Sequence, residues 1–510
     1  MKNTLKLVSF IFLAVFAVAI VACRQKVVPL VGISFDEETL YIDGGTSQKL
    51  VIKFDPPNAT DKSVTWSSSD DTKVSVAEDG TITAKAHTPN DKATITVKST
   101  DGEHTATCEI IVKVVPVQRV VLPSILYADI YAGTTLQAKI EPENATYKTV
   151  TWSSADESIA TVDKNGVVIF GGQMFDNVEI TATAYGEVAS ATSKVYIIKA
   201  PEVTQLPGST DGLTENDVPA NFVRIGPCAM PLGAGASWNV TITQAYEISD
   251  HEVTQAEWEK YMVVNPSQFK DDDSGENYKK RPVENVTWFA AIAYCNKRSL
   301  DEGLTPCYSV DGVTDWENLK FDAKYEGTTS QIPYGDDPKW YNAVCDFNAN
   351  GYRLPTEAEW EIAARAEMVG GVETHNDDND DNKQLESAWS GTTVVNDLIN
   401  YAWTDKNNTN KPHEVKMKLP NAYGLYDMSG NISELCWDWY VATAPTGEDT
   451  DPKGHDAPTA PINQFNGVKV NKGGSFNVQA YRHAVSYRNK GSARMPANWL
   501  GFHVVRNASE

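Results

Sequence analysis

At 510 residues, with 41% hydrophobic and 10% aromatic side chains, the chain has the composition of several folded modules rather than of a disordered polymer. Forty-four Lys and Arg against 68 Asp and Glu leave a formal net charge of −24, which repels phosphate backbones and anionic lipid surfaces, so no nucleic-acid partner is expected. The acidic run Asn376–Asn382 lacks the spacing and the glycine of a calcium loop and reads as a solvated loop.

Lys2 and Lys6 precede an apolar run of 16 residues, Leu7 to Ala22, that ends in Ile20-Val21-Ala22-Cys23. A basic start, a short apolar stretch and a small residue before the cut make an export signal, and the run is shorter than the ~20 residues of a spanning helix. The segment resembles the lipobox of bacterial lipoproteins. That resemblance implies a signal peptide over 1–22, removal before Cys23, acylation of Cys23, and a lipid-anchored location in the cell envelope outside the cytoplasm. Each acyl methylene buried in a bilayer contributes roughly 0.8 kcal/mol, so several chains would hold firmly. The six remaining cysteines, Cys108, Cys228, Cys295, Cys307, Cys345 and Cys436, then lie where disulfides are permitted. Cys307 and Cys345 flank an irregular stretch that a staple would suit, but pairing among Cys295, Cys307, Cys345 and Cys436 stays open. No CxxC or CxxH spacing supports a zinc site.

Further along, the chain repeats itself. Asn58-Ala59-Thr60 recurs as Asn144-Ala145-Thr146, Val64–Ser68 (VTWSS) as Val150–Ser154, and Gly80 as Gly166, always 86 residues on (144 − 58, 166 − 80). A constant offset across several motifs marks duplicated domains of that size. Within the copies apolar residues alternate, as at Ala93, Ile95 and Val97 or Val178, Ile180, Ala182 and Ala184, the period of strands with one buried face. Turn segments at Gly80 and Gly166 complete the pattern of a β-sandwich. The copies, over 28–115 and 116–200, resemble bacterial immunoglobulin-like repeats of the second group. Trp66 and Trp152 are expected in the cores, and the pair is expected to form a spacer or adhesive stalk. The Pro-, Gly- and Thr-rich stretch 201–221 is expected to be a linker.

From Phe222 the pattern becomes mixed. Thr254 with Glu257 and Thr356 with Glu359 are T-x-x-E capping boxes, each predicted to open a short helix, and a third helix is predicted over about Trp288–Lys297. Glu and Lys on these helices are expected to be solvated. The phrases His251–Trp258 (HEVTQAEW), Arg281–Trp288 (RPVENVTW), Gly351–Trp360 (GYRLPTEAEW), Asn421–Asn431 (NAYGLYDMSGN), Gly473–Phe476 (GGSF) and Leu500–Val505 (LGFHVV) come in the order of the sulfatase-modifying-factor family. Residues 222–507 therefore resemble the formylglycine-generating enzyme. The resemblance implies an α+β domain related to the C-type lectin fold, and hence a multidomain chain of two all-β immunoglobulin-like sandwiches followed by this head.

In that enzyme two cysteines just after the G-G-S phrase bind copper(I) and activate oxygen to oxidise a substrate cysteine. Here Val478 falls at the first of those positions, the second has no counterpart, and no cysteine follows Cys436. Soft thiolates are what copper(I) requires, so neither a catalytic residue nor a copper cofactor is expected. The family resemblance also implies a structural calcium ion held by the side chains of Asp427 and Glu434 and the carbonyls of Gly430 and Ile432, hard oxygen ligands for a hard cation. The expected activity is binding, of an extracellular or periplasmic glycan or protein. The candidate contacts are Ser475, Asn477, Gln479, Tyr481, Arg482, His483 and Arg488, whose amide, guanidinium and aromatic groups suit sugars or peptides. Arg488 serves a buried carboxylate equally well, and Tyr487 is expected in the core. Two alternatives stand beside this reading: a formylglycine-generating oxidoreductase acting on a protein cysteine, and a diversified surface binder of a diversity-generating retroelement.

Overall fold

The computed structural model describes residues 27–508 except 86–87, 101, 208–220, 263, 272–274, 317–323, 326–327, 330–337, 367–374, 377–383, 386–388, 393–394, 408–409 and 456–466. The signal peptide, Cys23, most of the Asn376–Asn382 run and most of the expected linker lie outside those residues. Two compact units are present, one ending at Val117 and including Pro142–Lys148, the other formed by Gln118–Glu141 and Thr149 onward.

Both repeats are sandwiches with the same strand order. In the first, a four-stranded sheet runs Thr39–Asp43, Thr105–Lys113, Lys92–Ser99, Val64–Ser68, and a three-stranded sheet runs Ser47–Lys49, Thr81–Ala84, Val74–Val76. In the second, the corresponding sheets run Ile125–Asp129, Ser190–Ile198, Asn177–Ala184, Val150–Ser154 and Thr134–Thr135, Val167–Phe170, Ala160–Val162. The alternation predicted from sequence is realised: Ala93, Ile95 and Val97 are buried while their neighbours face outward. Trp66 and Trp152 each pack, partly buried, against their own core. The repeated glycines follow from those indoles. Gly80 (φ +83°) and Gly166 (φ +82°) sit under the Trp66 and Trp152 rings, where a Cβ would approach within 2.5 and 2.9 Å.

The head is assembled from three larger sheets, several two-stranded pairs and short helices. A five-stranded sheet has the order Val203–Leu206, Phe222–Ile225, Tyr246–Ser249, Val505–Asn507, Tyr352–Arg353. A three-stranded sheet contains Cys228–Leu232, Trp238–Ile242 and Gly447–Thr450, and a four-stranded sheet runs Asn489–Ser492, Val468–Lys472, Ser433–Trp439, Leu500–Gly501. Helices α1 (Gln255–Tyr261), α2 (Trp288–Asp301) and α3 (Glu357–Ala364) start where predicted, and both capping boxes are closed, with Thr254 and Thr356 accepting from the Glu257 and Glu359 N–H groups.

Three expectations are corrected. The stretch 201–221 does not serve only as a linker, because Val203–Leu206 pairs along Phe222–Ile225 and forms the edge of the head's largest sheet. The second repeat is also not a free spacer. Ile125, Tyr127, Tyr196 and Ile198 belong to the same apolar core as Val223, Met230, Trp360 and Ile362 of the head, and Lys199 bridges to Ala229. Finally, Glu257, Glu357, Glu359 and Glu361 are buried rather than solvated, whereas Glu259 and Lys260 of α1 are exposed as expected. Glu359 receives both terminal nitrogens of Arg353 at 2.6 Å. Glu361 receives the Arg365 guanidinium at 2.7 Å, Lys472 Nζ at 3.0 Å and the Gly233 N–H at 2.7 Å. Helical periodicity marks the apolar face but cannot reveal cations arriving from other strands. The six described cysteines are free thiols, five of them buried.

Candidate functional site

The four-stranded sheet and the loop after it build one cavity. Strand Val468–Lys472 carries Asn471 and Lys472 to the cavity and runs into Gly473-Gly474-Ser475. Gly474 (φ +71°) is required there, since a Cβ would lie 2.8 Å from both the Arg482 carbonyl and the His483 ring. The turn continues through Val478, whose N–H donates to the Ser475 carbonyl at 3.1 Å, into a 3-10 helix over Ala480–His483. The resulting cavity, about 250 Å³, is lined by Asn471, Ser475, Asn477, Val478, Arg482 and Tyr487, among others. Ser433, Asn489 and Trp499 close its other sides. No carboxylate lines it among the described residues.

The predicted contacts divide into two groups. Ser475, Asn477 and Arg482 line the cavity, and Val478 stands there as well. His483 does not: it is wholly buried, with its ring nitrogens 3.0 Å from the Gln479 carbonyl and 3.1 Å from the Ser475 carbonyl, and burial pushes it below the ordinary imidazole range. It shapes the loop. Gln479 is exposed at the start of the 3-10 helix and does not line the cavity. Tyr481 is set back from the cavity; its hydroxyl accepts from Arg482 Nε at 3.0 Å, and its ring meets Tyr487 edge-on at 5.8 Å. Arg488 is a structural cation, because its guanidinium holds Glu357 and donates to the Val441 carbonyl at 3.0 Å. Tyr487, expected in the core, is a cavity wall.

Asn471, Ser433 and Trp499 were not singled out by sequence. Asn471 left a faint signal, a polar residue within a short strand immediately before a matched phrase. It is wholly buried, yet neither atom of its amide has a hydrogen-bond partner. Lys472 is different: its ammonium is spent on Glu361 at 3.0 Å. Arg482 donates through Nε to Tyr481, and its terminal nitrogens have no partner among the described residues.

A second, smaller cavity of about 100 Å³ lies beside Arg353 and Glu359, whose charges satisfy each other.

The expected calcium ligands lie nearby on the turn 427–434. Asp427 Oδ2 accepts from the Lys416 N–H at 2.9 Å, and Glu434 Oε2 accepts from Trp360 Nε1 and from His503 Nδ1, each at 2.6 Å. The remaining carboxylate oxygens, Asp427 Oδ1 and Glu434 Oε1, are buried without a partner. Burial, opposed by the Lys416 N–H and reinforced by the Glu434 charge, raises the Asp427 carboxyl to about 6. Burial, with the charges of Asp427 and Glu434, holds Glu252 well above the carboxylate range. Two orphaned oxygens among crowded acids fit a hard cation. Among the described residues no three His, Cys, Asp or Glu side chains converge in a metal-binding arrangement, so such an ion would depend on the two carbonyls as well.

The sulfatase-modifying factor enzyme 1-like domain model matches residues 214–508, more than half of the chain. The chain belongs to the sulfatase-modifying factor family. The bacterial Ig-like (group 2) model matches 30–110 and 123–195 in front of that domain. Family relatives include the chaperone protein LppX of Paenibacillus barcinonensis, 34% identical over 273 residues, which are 53% of this chain and 82% of LppX. The mouse formylglycine-generating enzyme is 25% identical over 345 residues, 64% of this chain and 83% of the enzyme. Among solved structures, Treponema denticola variable protein 1 is 36% identical, with a TM-score of 0.48 over 60% of this chain and 99% of its own. Val478, which the family resemblance aligns with the enzyme's first copper cysteine, lines the cavity, and no thiol is among the lining residues. Among the described residues no helix is long and apolar enough to cross a membrane.

Proposed function

We propose that this chain is an exported, lipid-anchored envelope protein whose head binds a ligand in the Asn471–Arg482 cavity and does not oxidise cysteine. The observation that carries the reading is the cavity wall itself: Val478 and no thiol, with amides, hydroxyls and the Arg482 guanidinium, whose terminal nitrogens have no partner among the described residues, around it. Copper(I) needs soft ligands, and Cys436, the last cysteine in the chain, is wholly buried and outside the cavity lining. The Ig-like repeats and the LppX relative support a place outside the cytoplasm; Cys23 is the proposed anchor. Its test is metabolic labelling with palmitate, where label on the wild type and none on Cys23→Ser is expected.

The detergent-solubilised full chain, incubated with copper(I), oxygen and a cysteine-containing sulfatase peptide, is expected to leave the peptide mass unchanged. Conversion of the peptide cysteine to formylglycine would overturn the binding reading. The name of the LppX relative, a chaperone protein, favours a second reading, in which the ligand is a polypeptide. Calcium is proposed as a structural ion on Asp427, Gly430, Ile432 and Glu434, where it would supply counter-charge to the two carboxylates. A chelator is then expected to lower the melting temperature of the head, and re-addition of calcium to restore it; an unchanged melting curve would remove the ion from the account.

A further inference from the structure

We propose that the cavity takes one acidic sugar residue of a saccharide, a pyranose ring bearing a carboxylate, with Asn471 as the principal hydroxyl reader and Arg482 as the carboxylate reader. The inference rests on the reading of this cavity as a binding site and names what occupies it.

Asn471 is wholly buried with both amide atoms unpartnered, and it lines the cavity. Leaving a buried donor and acceptor unsatisfied is costly, so the missing partner is sought in a ligand. That partner must accept from Nδ2 and donate to Oδ1. Neighbouring hydroxyls of a sugar ring do both. Asn489, paired with Asn471 across the adjacent strands, adds a second amide, and Ser433 and Asn477 extend the polar wall. Trp499 and Tyr487 give the same cavity flat apolar surface for the C–H face of a ring.

Charge narrows the class. Lys472 is neutralised by Glu361, whereas the Arg482 terminal nitrogens are free among the described residues and no carboxylate lines the cavity. A planar guanidinium fork on the rim matches a carboxylate in two parallel hydrogen bonds. Size narrows it again: about 250 Å³ is below the roughly 300–1,000 Å³ of sites for larger ligands, so one ring enters. A polypeptide segment bound by strand addition would be held by main-chain pairing at a sheet edge, whereas side chains dominate this wall.

The test titrates the full chain with a glucuronic-acid disaccharide, its carboxyl-reduced counterpart and an acidic peptide. The acidic sugar is expected to bind at least roughly tenfold more tightly than the reduced one, the size of one charge-assisted contact. Arg482→Gln, on the half-exposed rim, is expected to erase that difference. Asn471→Leu is expected to abolish binding of both sugars while leaving the melting temperature unchanged or higher, since it removes an orphaned polar group. Absence of saccharide binding overturns the inference. Binding of the peptide alone, lost in Asn471→Leu, overturns it while leaving the cavity as a binding site. Binding that survives both substitutions places the ligand elsewhere and overturns both readings.

Discussion

Replacing Glu361 by Gln is expected to destabilise the head by about 3–5 kcal/mol, the cost of breaking a buried ion pair from one side. Glu361 is 1% exposed and is the shared counter-charge of Arg365 and Lys472, both equally inaccessible. Burial alone would raise its carboxyl, but Lys472 first and Arg365 second bring it from 4.5 down to about 2. A depressed carboxyl contributes stability that is complete above the unfolded value and is lost as pH falls through the folded one. Glu361 therefore contributes about 3 kcal/mol at neutral pH, and that contribution drains away between pH 4.5 and about 2. Denaturant midpoints measured across that window check the sign, because the Gln variant should show a shallower acid dependence. A Gln variant within about 1 kcal/mol of wild type would mean that solvent already shields the triad.

Removing the second repeat is the other large perturbation. A fragment beginning at Pro201 is expected to lose a cooperative thermal transition and to bind a hydrophobic dye. Strand Cys228–Leu232, buried at every position, packs against Ser190–Ile198, and the fragment strips that cover away. The milder Tyr127→Ala is expected to cost about 3–5 kcal/mol, as for other large buried aromatics. Tyr127 stacks on Tyr196 at 5.5 Å and accepts from Arg365 Nη1 at 3.4 Å. At roughly 1–2 °C per kcal/mol for a unit of this size, the head's melting point should fall by several degrees even though the substitution lies in the repeat. Independent melting of head and repeat would refute the shared core.

The fold was legible wherever sequence encodes local geometry. An offset of 86 residues, strand alternation and two T-x-x-E boxes each have one physical solution, and the strands and helices fall where those signals put them. The candidate site was only half legible. Ser475, Asn477 and Arg482 sit beside a matched phrase and do line the cavity, but His483 and Arg488 share the same short segment and point into structure. What separates them is the tight turn at Gly474 and the approach of Glu357 from α3, 131 residues earlier in the chain. Asn471 escaped notice because its significance is a missing partner, and a sequence contains no partners to count. The second repeat's attachment escaped for a related reason: apolar residues at Tyr127 and Tyr196 announce burial without saying against what.

The strand Val203–Leu206 has a practical consequence for anyone expressing the head. It occupies the outer edge of the sheet beside Phe222–Ile225, and Gln205 reaches across to the Tyr423 carbonyl. A fragment begun at the family boundary, near residue 214, would leave a mostly buried strand with a bare row of N–H and C=O groups open to any passing chain. Insoluble material from such a fragment would report this bare edge together with the lost cover of the second repeat, and solubility should return when the N-terminus is moved back far enough to restore both.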